Sequence, residues 1–309
     1  MDYKQRTLKY SVGCTGIGLH SGEKIKLTIR PAQINTGIRF VRRDLPGFPS
    51  VKVCSNNVID TTLATTIASN GCRVATIEHL MAAFFGLGID NAIVELDGPE
   101  VPIMDGSAAP FLFLIKDGGI KEQDGQKQFI IIKKAFSIKD GNRSISIYPS
   151  KKFQISYMID FQHPMLKNQE YRLNFSTGAF ARDISKARTF GFLKDVQILK
   201  DNGFAKGGSL DNAIVIDEFK VLNEDGLRFE DEFVRHKILD FIGDIAVMGA
   251  PIIGRFVVKR SGHSLNHFML RKLITSKRHW KTITLKNQTE PTRNSIEIPT
   301  IGLQDPVPA

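Results

Sequence analysis

The chain has 309 residues and contains no apolar run that approaches the roughly 18–20 residues needed to cross a membrane. Residues 1–6 are polar and lack the apolar core of a signal peptide, so we expect no export signal. Three cysteines occur, Cys14, Cys54 and Cys72, and none has C-x-x-C spacing. An odd number of isolated thiols is typical of a reducing compartment, and we predict a cytoplasmic protein.

Other signals are also missing. No short-period repeat occurs, which excludes solenoids and propellers. The glycine-rich segment 13–22 lacks the Lys-Ser/Thr pair of a P-loop and is a weak phosphate signal, although its His20 is a candidate metal or substrate contact. The formal charge of +10 favours an anionic partner. Because no basic block interleaved with aromatics is present, we expect an anionic small molecule and no nucleic acid.

The remaining composition, 42% hydrophobic and 24% charged, is typical of a soluble globular protein, with enough residues for two domains. Hydrophobic periodicity predicts strands at 24–30, 37–43, 91–96, 129–133, 144–148, 153–159 and 252–259, and helices at 76–85, 110–116 and 231–248. Residues 140–142 predict a hairpin turn. The polar segment 121–127 is the predicted linker. Both parts therefore indicate α+β units with helices on one face of a sheet.

One predicted helix combines an apolar body with a polar stripe. Within 233–248, His236, Asp240 and Asp244 are spaced four residues apart and share a face. Burying such groups without partners costs roughly 2–7 kcal/mol each, a cost that a metal ion or a water-filled site would remove. An imidazole and a carboxylate one turn apart suit zinc. A solvated helix face would show the same spacing and is the alternative.

Two further segments, 76–80 and 261–266, favour the metal interpretation. A catalytic zinc usually keeps three protein ligands and an open position, and we predict His79, His236 and Asp240 as the three. Glu78 precedes a ligand and could take a proton from the bound water, whose pKa would fall toward roughly 7. A solvated glutamate in a first helical turn is the alternative for Glu78.

The segment 261–266 places a histidine, His263, in a glycine-flanked turn after a strand-like run. Asp244 could orient this ring and favour its protonated form, which would stabilise an oxyanion and protonate a leaving amine. Lys237 is a second candidate oxyanion or phosphate partner. In 188–192, the hydroxyl of Thr189 lies beside Phe190 and Phe192, which suits a site with one polar contact and an apolar wall.

Each of these residues has an alternative interpretation. His263 and Lys237 could simply be solvated, and 188–192 could be a strand end with core phenylalanines.

Six segments, in this order, closely resemble the UDP-3-O-acyl-N-acetylglucosamine deacetylase family of lipid A synthesis. They are Thr-Gly-Ile-Gly-Leu-His (15–20), Thr-Ile-Glu-His-Leu (76–80), residues 102–111, Arg-Thr-Phe-Gly-Phe (188–192), residues 222–240 and Ser-Gly-His-Ser-Leu-Asn (261–266). The resemblance runs from about residue 3 to about residue 280. Residues from 281 onward are rich in proline and carry none of it, so we expect a loosely held tail.

The resemblance implies an α+β fold of two β-α-α-β sandwich domains, with their helix layers facing each other and the active site between them. Mapped onto this chain, the implied units are 1–125, which carries Glu78 and His79, 128–280, which carries His236, Asp240 and His263, and the tail 281–309. An insert near 192–214 in the second unit would form a passage for an acyl chain. Its apolar residues Phe192, Leu193, Val196, Ile198 and Leu199 fit that role, although a plain core helix would look the same.

The resemblance also implies a reaction: zinc-dependent hydrolysis of the N-acetyl group of UDP-3-O-acyl-N-acetylglucosamine, which gives UDP-3-O-acyl-glucosamine and acetate in lipid A (lipopolysaccharide) biosynthesis of Gram-negative bacteria. The implied roles are zinc ligand for His79, His236 and Asp240, general base for Glu78, general acid for His263, orienter of that acid for Asp244, oxyanion partner for Thr189, charged contact for Lys237 and substrate packing for Phe190. Arg143 stands where the family often has a lysine on the diphosphate side, and arginine can bind phosphate bidentately.

Two alternatives stay open at this point. One is a zinc phosphoesterase acting on the same kind of ligand, and the other is a non-catalytic binder of a lipid-linked sugar nucleotide. Iron in place of zinc is compatible with the same ligands. We expect a monomer that binds a UDP-sugar with an acyl chain and makes at most a transient contact with the inner membrane surface. The sequence does not specify the acyl-chain length.

Overall fold

The computed structural model describes residues 4–284. Its strands are β1 (Lys4–Leu8), β2 (Val12–Ile17), β3 (Lys24–Pro31), β4 (Ile38–Arg42), β5 (Ser50–Lys52), β6 (Val58–Asp60), β7 (Thr66–Ser69), β8 (Cys72–Val74), β9 (Ala92–Leu96), β10 (Ile120–Gln126), β11 (Gln128–Ile132), β12 (Phe136–Asp140), β13 (Arg143–Tyr148), β14 (Gln154–Ile159), β15 (Gln169–Asn174), β16 (Phe190–Phe192), β17 (Ile214–Ile216), β18 (Ile252–Ile253), β19 (Arg255–Lys259) and β20 (Trp280–Thr284). Its helices are α1 (Glu78–Leu87), α2 (Ala109–Asp117), α3 (Thr177–Ala179), α4 (Leu193–Asp201), α5 (Glu232–Ala246) and α6 (His263–Thr275). The predicted α+β class is confirmed.

Two five-stranded sheets share one plan. Their strand orders are β2-β3-β9-β4-β5 and β12-β13-β19-β14-β15. In each, the central strand is antiparallel to one neighbour and parallel to the other. One helix, α1 or α5, precedes that strand in the chain, and another, α2 or α6, follows it. We call residues 4–126 the N-terminal half and residues 128–284 the C-terminal half.

The core lies between these sheets and their helices. Alternate residues of β3, namely Ile25, Leu27 and Ile29, are fully buried, as expected for a strand with one covered face. Helix α1 of the N-terminal half packs against helix α5 of the C-terminal half. The contact is close: a Cβ on Gly243 of α5 would lie 2.0 Å from the carbonyl oxygen of Glu78 in α1, so only glycine fits.

Each half carries an insertion between its outer strands and its first helix. In the N-terminal half this insertion forms the small sheet β6-β7-β8. In the C-terminal half it contains α3, the parallel pair β16-β17 and α4. Within residues 4–284, no helix combines the length and apolar character required to cross a membrane.

Most predicted elements are confirmed with small shifts at their ends, but several expectations are wrong. The predicted linker 121–127 lies almost entirely in β10, which pairs with β1, and Lys127 is buried with its Nζ 2.9 Å from the carbonyl oxygen of Gly88 and 3.0 Å from Asp90. A polar sequence can form such a ribbon because backbone hydrogen bonds need no apolar side chains. The predicted strand 252–259 is interrupted at Gly254.

The third error concerns His263, which is the first residue of helix α6 and does not lie in a turn. Helix α6 was not predicted from the sequence. Residues 281–284 of the expected tail belong to β20, which is antiparallel to β11. Residues 285–309 lie outside the described residues, so the expectation for the rest of the tail is untested.

Candidate functional site

Two histidines and one aspartate from two helices meet in a buried cluster. His79 is the second residue of α1, and His236 and Asp240 lie one turn apart on α5. The Nε2 atoms of His79 and His236 lie 3.4 Å and 3.2 Å from Oδ1 of Asp240, and the three ligand atoms all lie within 4.8 Å of one another. The geometry fits a single metal ion.

The protonation pattern also fits a cation. Nδ1 of His236 lies 3.0 Å from the carbonyl oxygen of Ala187; a carbonyl only accepts, so Nδ1 carries a proton and Nε2 is the atom that could bind a metal. Nε2 faces Oδ1 of Asp240 at 3.2 Å, so either a proton on Nε2 or a cation lies between these two atoms. Burial lowers the pKa of His79, which favours the neutral, ligating form.

Lys237 neutralises the other side of the aspartate. Its Nζ donates to Oδ2 of Asp240 at 2.7 Å. Burial alone would raise the pKa of Asp240, but His236 and Lys237 outweigh it and hold that pKa well below its usual range. Asp240 is therefore anionic, with one oxygen directed at the two imidazoles. Burial opposes the charge of Lys237 as well, but Asp240 raises its pKa.

Glu78 lies beside this cluster at the start of α1 and is buried. Its Oε2 accepts a hydrogen bond from the backbone N–H of Thr65 at 3.0 Å, and its Oε1 lies 3.9 Å from Nε2 of His263. Burial raises the pKa of Glu78 to about 7 against the lowering effect of His263. A carboxylate with such a pKa can exchange a proton near neutral pH.

His263 and Asp244 form the pair that the sequence predicted. Nδ1 of His263 lies 2.8 Å and 3.0 Å from the two carboxylate oxygens of Asp244. Although burial opposes the charged ring, Asp244 raises the pKa of His263 to about 9. Burial likewise opposes the charge of Asp244, but His263 and His267 lower its pKa. The imidazole is therefore a cation at neutral pH and can donate a proton.

The chain enters α1 through a strained turn. Thr76 has φ of 57°, a region that β-branched residues rarely adopt, and its hydroxyl donates to Glu100 at 2.7 Å. Glu100 is buried and also accepts from the backbone N–H groups of His20 and Ser21. Such strain persists only where its surroundings impose it. Glu100 therefore helps to set the direction in which Glu78 enters the site.

Phe190 lies next to the cluster. Its ring centroid is 6.2 Å from that of His236 and 5.0 Å from that of Phe233, and Nζ of Lys237 lies 5.7 Å from it. Thr189 precedes it, and its backbone N–H donates to the carbonyl oxygen of Gly106 at 2.8 Å. The backbone of Thr189, the residue before Phe190, is therefore hydrogen-bonded to the N-terminal half.

The segment near 192–214 is not a core helix. Helix α4 has no buried residue, and Leu193 and Ile198 expose 49% and 61% of their surface. The ring of Phe192 lies near those of Phe161 and His163, at 6.1 Å and 5.7 Å. Of the two alternatives for this segment, the plain core helix is therefore wrong.

Two residues singled out in the sequence are not members of the His79–His236–Asp240 cluster. His20 packs edge-on against Phe204, with centroids 5.7 Å apart, and its backbone is held by Glu100. Arg143 lies at the tip of the β12–β13 hairpin and pairs with Asp140 across the turn. The next residue, Ser144, pairs with Lys259 at the end of β19, three residues before Gly262 and the start of α6.

Some residues of the site carried no clear sequence signal. Thr65, Glu100 and His267 contact Glu78, Thr76 and Asp244, respectively, from distant parts of the chain. Asn266 donates to Asp244 at 2.8 Å. It is the last residue of the segment 261–266, so the sequence did contain a signal for this contact in the polar residue three positions after His263.

Comparisons with known proteins identify the relatives of this chain. The family described as UDP-3-O-acyl N-acetylglycosamine deacetylase matches residues 5–275. Curated proteins named UDP-3-O-acyl-N-acetylglucosamine deacetylase are similar to the chain: one from Myxococcus xanthus (strain DK1622) is 54% identical over 88% of this chain and 87% of its own length. Those from Teredinibacter turnerae (strain ATCC 39867 / T7901) and Marinobacter nauticus (strain ATCC 700491 / DSM 11845 / VT8) are 49% and 48% identical over 92% of this chain and 95% and 94% of their own lengths. The chain belongs to the UDP-3-O-acyl-N-acetylglucosamine deacetylase family.

Proposed function

We propose that this protein removes the N-acetyl group of UDP-3-O-acyl-N-acetylglucosamine by hydrolysis, in lipid A biosynthesis. The supporting observation is the convergence of a three-residue metal cluster with a buried carboxylate of raised pKa, Glu78, and a cationic imidazole, His263, in a member of this family. A metal site with an adjacent base and an adjacent acid has the parts that amide hydrolysis requires.

We further propose that the metal is zinc, with His79, His236 and Asp240 as ligands; iron is compatible with the same donors. Bound there, zinc would act as a Lewis acid and lower the pKa of water. Lys237, held on the second oxygen of Asp240, keeps that carboxylate from turning away from the two imidazoles.

Glu78 acts as the general base. In its ionised form it takes a proton from the attacking water, whose oxygen bonds to the acetamide carbonyl carbon. The hydrogen bond from Thr65 leaves Oε1 as the oxygen available for this transfer. The developing oxyanion receives a hydrogen bond from the hydroxyl of Thr189 and is stabilised by the charges of His263 and Lys237.

His263 acts as the general acid. As the carbon–nitrogen bond breaks, it donates its Nε2 proton to the departing amine, so that acetate and a free glucosamine nitrogen result. Asp244 holds Nδ1 at 2.8 Å, which leaves Nε2 as the donating atom. The 3.9 Å distance between Glu78 and His263 supports this division, since both groups can reach one reacting centre.

The substrate contacts are assigned from position and chemistry. We propose that Phe190 packs on the sugar nucleotide and that Phe192 and Leu193 begin the passage for the acyl chain, because half-exposed apolar side chains continue along α4. Arg143 would bind the diphosphate side, in exchange for its ion pair with Asp140. We also propose a cytoplasmic monomer that contacts the membrane transiently through its lipid substrate; three free cysteines support a reducing compartment.

Product analysis tests the proposed reaction. The purified protein, incubated with UDP-3-O-acyl-N-acetylglucosamine, should release acetate, whereas release of UMP or UDP would indicate a phosphoesterase. Glu78→Ala should abolish acetate release, and His263→Ala should keep its zinc but lose most of its turnover. A wild-type protein without zinc, together with a fully active Glu78→Ala variant, would support the non-catalytic binder instead.

A further inference from the structure

Thr65 uses every polar group it has within the site. It is fully buried and lies in the N-terminal half, just before β7. Its backbone N–H donates to Oε2 of Glu78 at 3.0 Å, and its carbonyl oxygen accepts from the N–H of Ile77 at 3.3 Å. Its hydroxyl donates to Oδ1 of Asp244, in the C-terminal half, at 2.6 Å. One residue therefore contacts both the carboxylate of Glu78 and the carboxylate that holds His263.

The direction of these hydrogen bonds follows from the donors present. An ionised Asp244 can only accept, so the single hydroxyl proton of Thr65 is donated to it. The hydroxyl oxygen, 3.0 Å from Nε2 of His267, must then accept from that ring. Nε2 of His267 therefore carries a proton, and Asn266 donates to the other oxygen of Asp244. This set of donors fixes the carboxylate in place.

We propose that Thr65 is a positioning residue that sets the general base and the general acid at their working separation. The proposal rests on the roles given above to Glu78 and His263. These two groups come from different halves, and they must lie on either side of one acetamide carbon. Thr65 connects the two halves at this point, from Glu78 through its own backbone and hydroxyl to Asp244 and then to His263. A misplacement of about 1 Å can reduce turnover roughly 100-fold.

The test compares two substitutions at Thr65 with a matched one next to it. Thr65→Val keeps the shape but removes the hydroxyl, and Thr65→Ser keeps the hydroxyl. Thr66→Val is the control, because Thr66 is also buried but is not a partner of Glu78 or Asp244. Acetate release, zinc content and thermal unfolding are measured for each variant, with the wild type alongside.

We expect Thr65→Val to lower kcat by about 10- to 100-fold with KM within about twofold, because a fully buried residue does not touch substrate. Its zinc content should match that of the wild type. Thr65→Ser should regain kcat to within about threefold, and Thr66→Val should be as active as the wild type. Loss of zinc in Thr65→Val would contradict the proposal, since it would make the effect one of metal binding.

Equal kcat values for Thr65→Val and Thr66→Val would overturn the proposal. If Thr65→Val does not fold, Thr65→Ala removes the same hydroxyl without adding volume and is judged by the same criteria. Failure of both to fold, while Thr66→Val folds, would make Thr65 a structural residue and also overturn it. Failure of the proposed function is recognised separately, because the wild type itself would then release no acetate.

Discussion

The two halves share a strand order but not a chemistry. The N-terminal half provides Glu78 and His79 from the first turn of α1, whereas the C-terminal half provides His236 and Asp240 from the body of the corresponding helix α5. The second helices differ as well, since α6 begins with His263 and α2 begins with Ala109. Neither half contains all three residues of the metal cluster or both groups that we propose for proton transfer. The repeated scaffold therefore forms a site only where α1 and α5 pack together.

The insertions differ in the same way. The insertion of the N-terminal half carries Thr65, which contacts both Glu78 and Asp244. The longer insertion of the C-terminal half carries Phe190 and α4, with apolar side chains left half-exposed. In our proposal, one insertion supports the catalytic groups, and the other contacts the substrate. Substitutions in the two halves should therefore differ in effect.

The largest effect is expected for the base of the N-terminal half. Glu78→Gln should lower kcat by about 10³- to 10⁴-fold, because an amide cannot take the proton of water. Zinc content should not change, since Glu78 is not a ligand. Acetate release and metal analysis check this, with Glu95→Gln on β9 as a control. A variant with a tenth of wild-type activity would remove Glu78 from the role of base.

A buried glutamate holds the chain at the start of each first helix, Glu232 for α5 and Glu100 for α1. The two should contribute different amounts to the free energy of unfolding. Glu232 begins α5 and accepts from the N–H and Nε of Arg188, both at 3.0 Å, and both residues are buried. Glu232→Ala should cost about 3–5 kcal/mol of unfolding free energy, because it removes the buried carboxylate paired with Arg188 and leaves that buried guanidinium, among the described residues, only the exposed Asp225 as an anionic partner.

The anchor of α1, Glu100, accepts from neutral groups among residues 4–284, so Glu100→Ala should cost less, about 1–3 kcal/mol. Glu170→Ala, in an exposed ion pair with Arg172, should cost less than about 1 kcal/mol. Urea unfolding monitored by circular dichroism measures all three. Equal losses for Glu232 and Glu100 would contradict this ranking.

Gly243 tests the contact between the halves directly. Gly243→Ala places a Cβ 2.0 Å from the carbonyl oxygen of Glu78, so α1 and α5 must separate. We expect a loss of about 1–3 kcal/mol of stability, together with a fall in kcat because Glu78 moves. Gly191→Ala, where the added atom meets nothing within 4 Å, is the control for stability. Wild-type stability in Gly243→Ala would mean that the helices are not in close contact.

The pH dependence of kcat should show one limb from each half. Glu78 must be ionised to act as base, so activity rises as pH rises through its pKa; that pKa is about 7 in the protein alone and falls when a cation occupies the adjacent site. His263 must be protonated to act as acid, so activity falls as pH rises through about 9. Activity should change about tenfold per pH unit on each limb. An alkaline limb that persists in His263→Gln would assign it to another group.

The smallest effect is expected at Arg143, at the tip of the β12–β13 hairpin. Arg143→Ala should raise KM about three- to tenfold and leave kcat nearly unchanged, because the lost contact is with substrate charge outside the reacting centre. Arg143→Lys should restore most of the affinity. Arg172→Ala, on the exposed surface of β15, is the control. An unchanged KM would remove Arg143 from the binding site.

Local sequence patterns predicted part of this site. His236, Asp240 and Asp244 could be placed on one face because helical spacing is fixed, and their burial follows from the apolar residues between them. The pairing of Asp244 with His263 could be inferred from chemistry. The start of α6 at His263 could not, because Gly262 precedes it without a side-chain cap.

Long-range contacts account for the remaining failures. Thr65 and Glu100 act on residues 13 and 24 positions away, or in the other half, through single hydrogen bonds that leave no periodic trace. Strand β10 was missed because its partner is β1, more than 110 residues earlier in the chain, and its polar residues resemble a linker. Pairing between distant segments is decided by tertiary packing and is not encoded in a short window.

The central claim is that ligands from two halves hold one metal ion. Anomalous diffraction above and below the zinc edge, on crystals of the zinc-loaded protein, tests it most directly. The account predicts one strong zinc-specific peak bound by Nε2 of His79, Nε2 of His236 and Oδ1 of Asp240. A peak at other residues, or none at this cluster in a protein that is active, would contradict it.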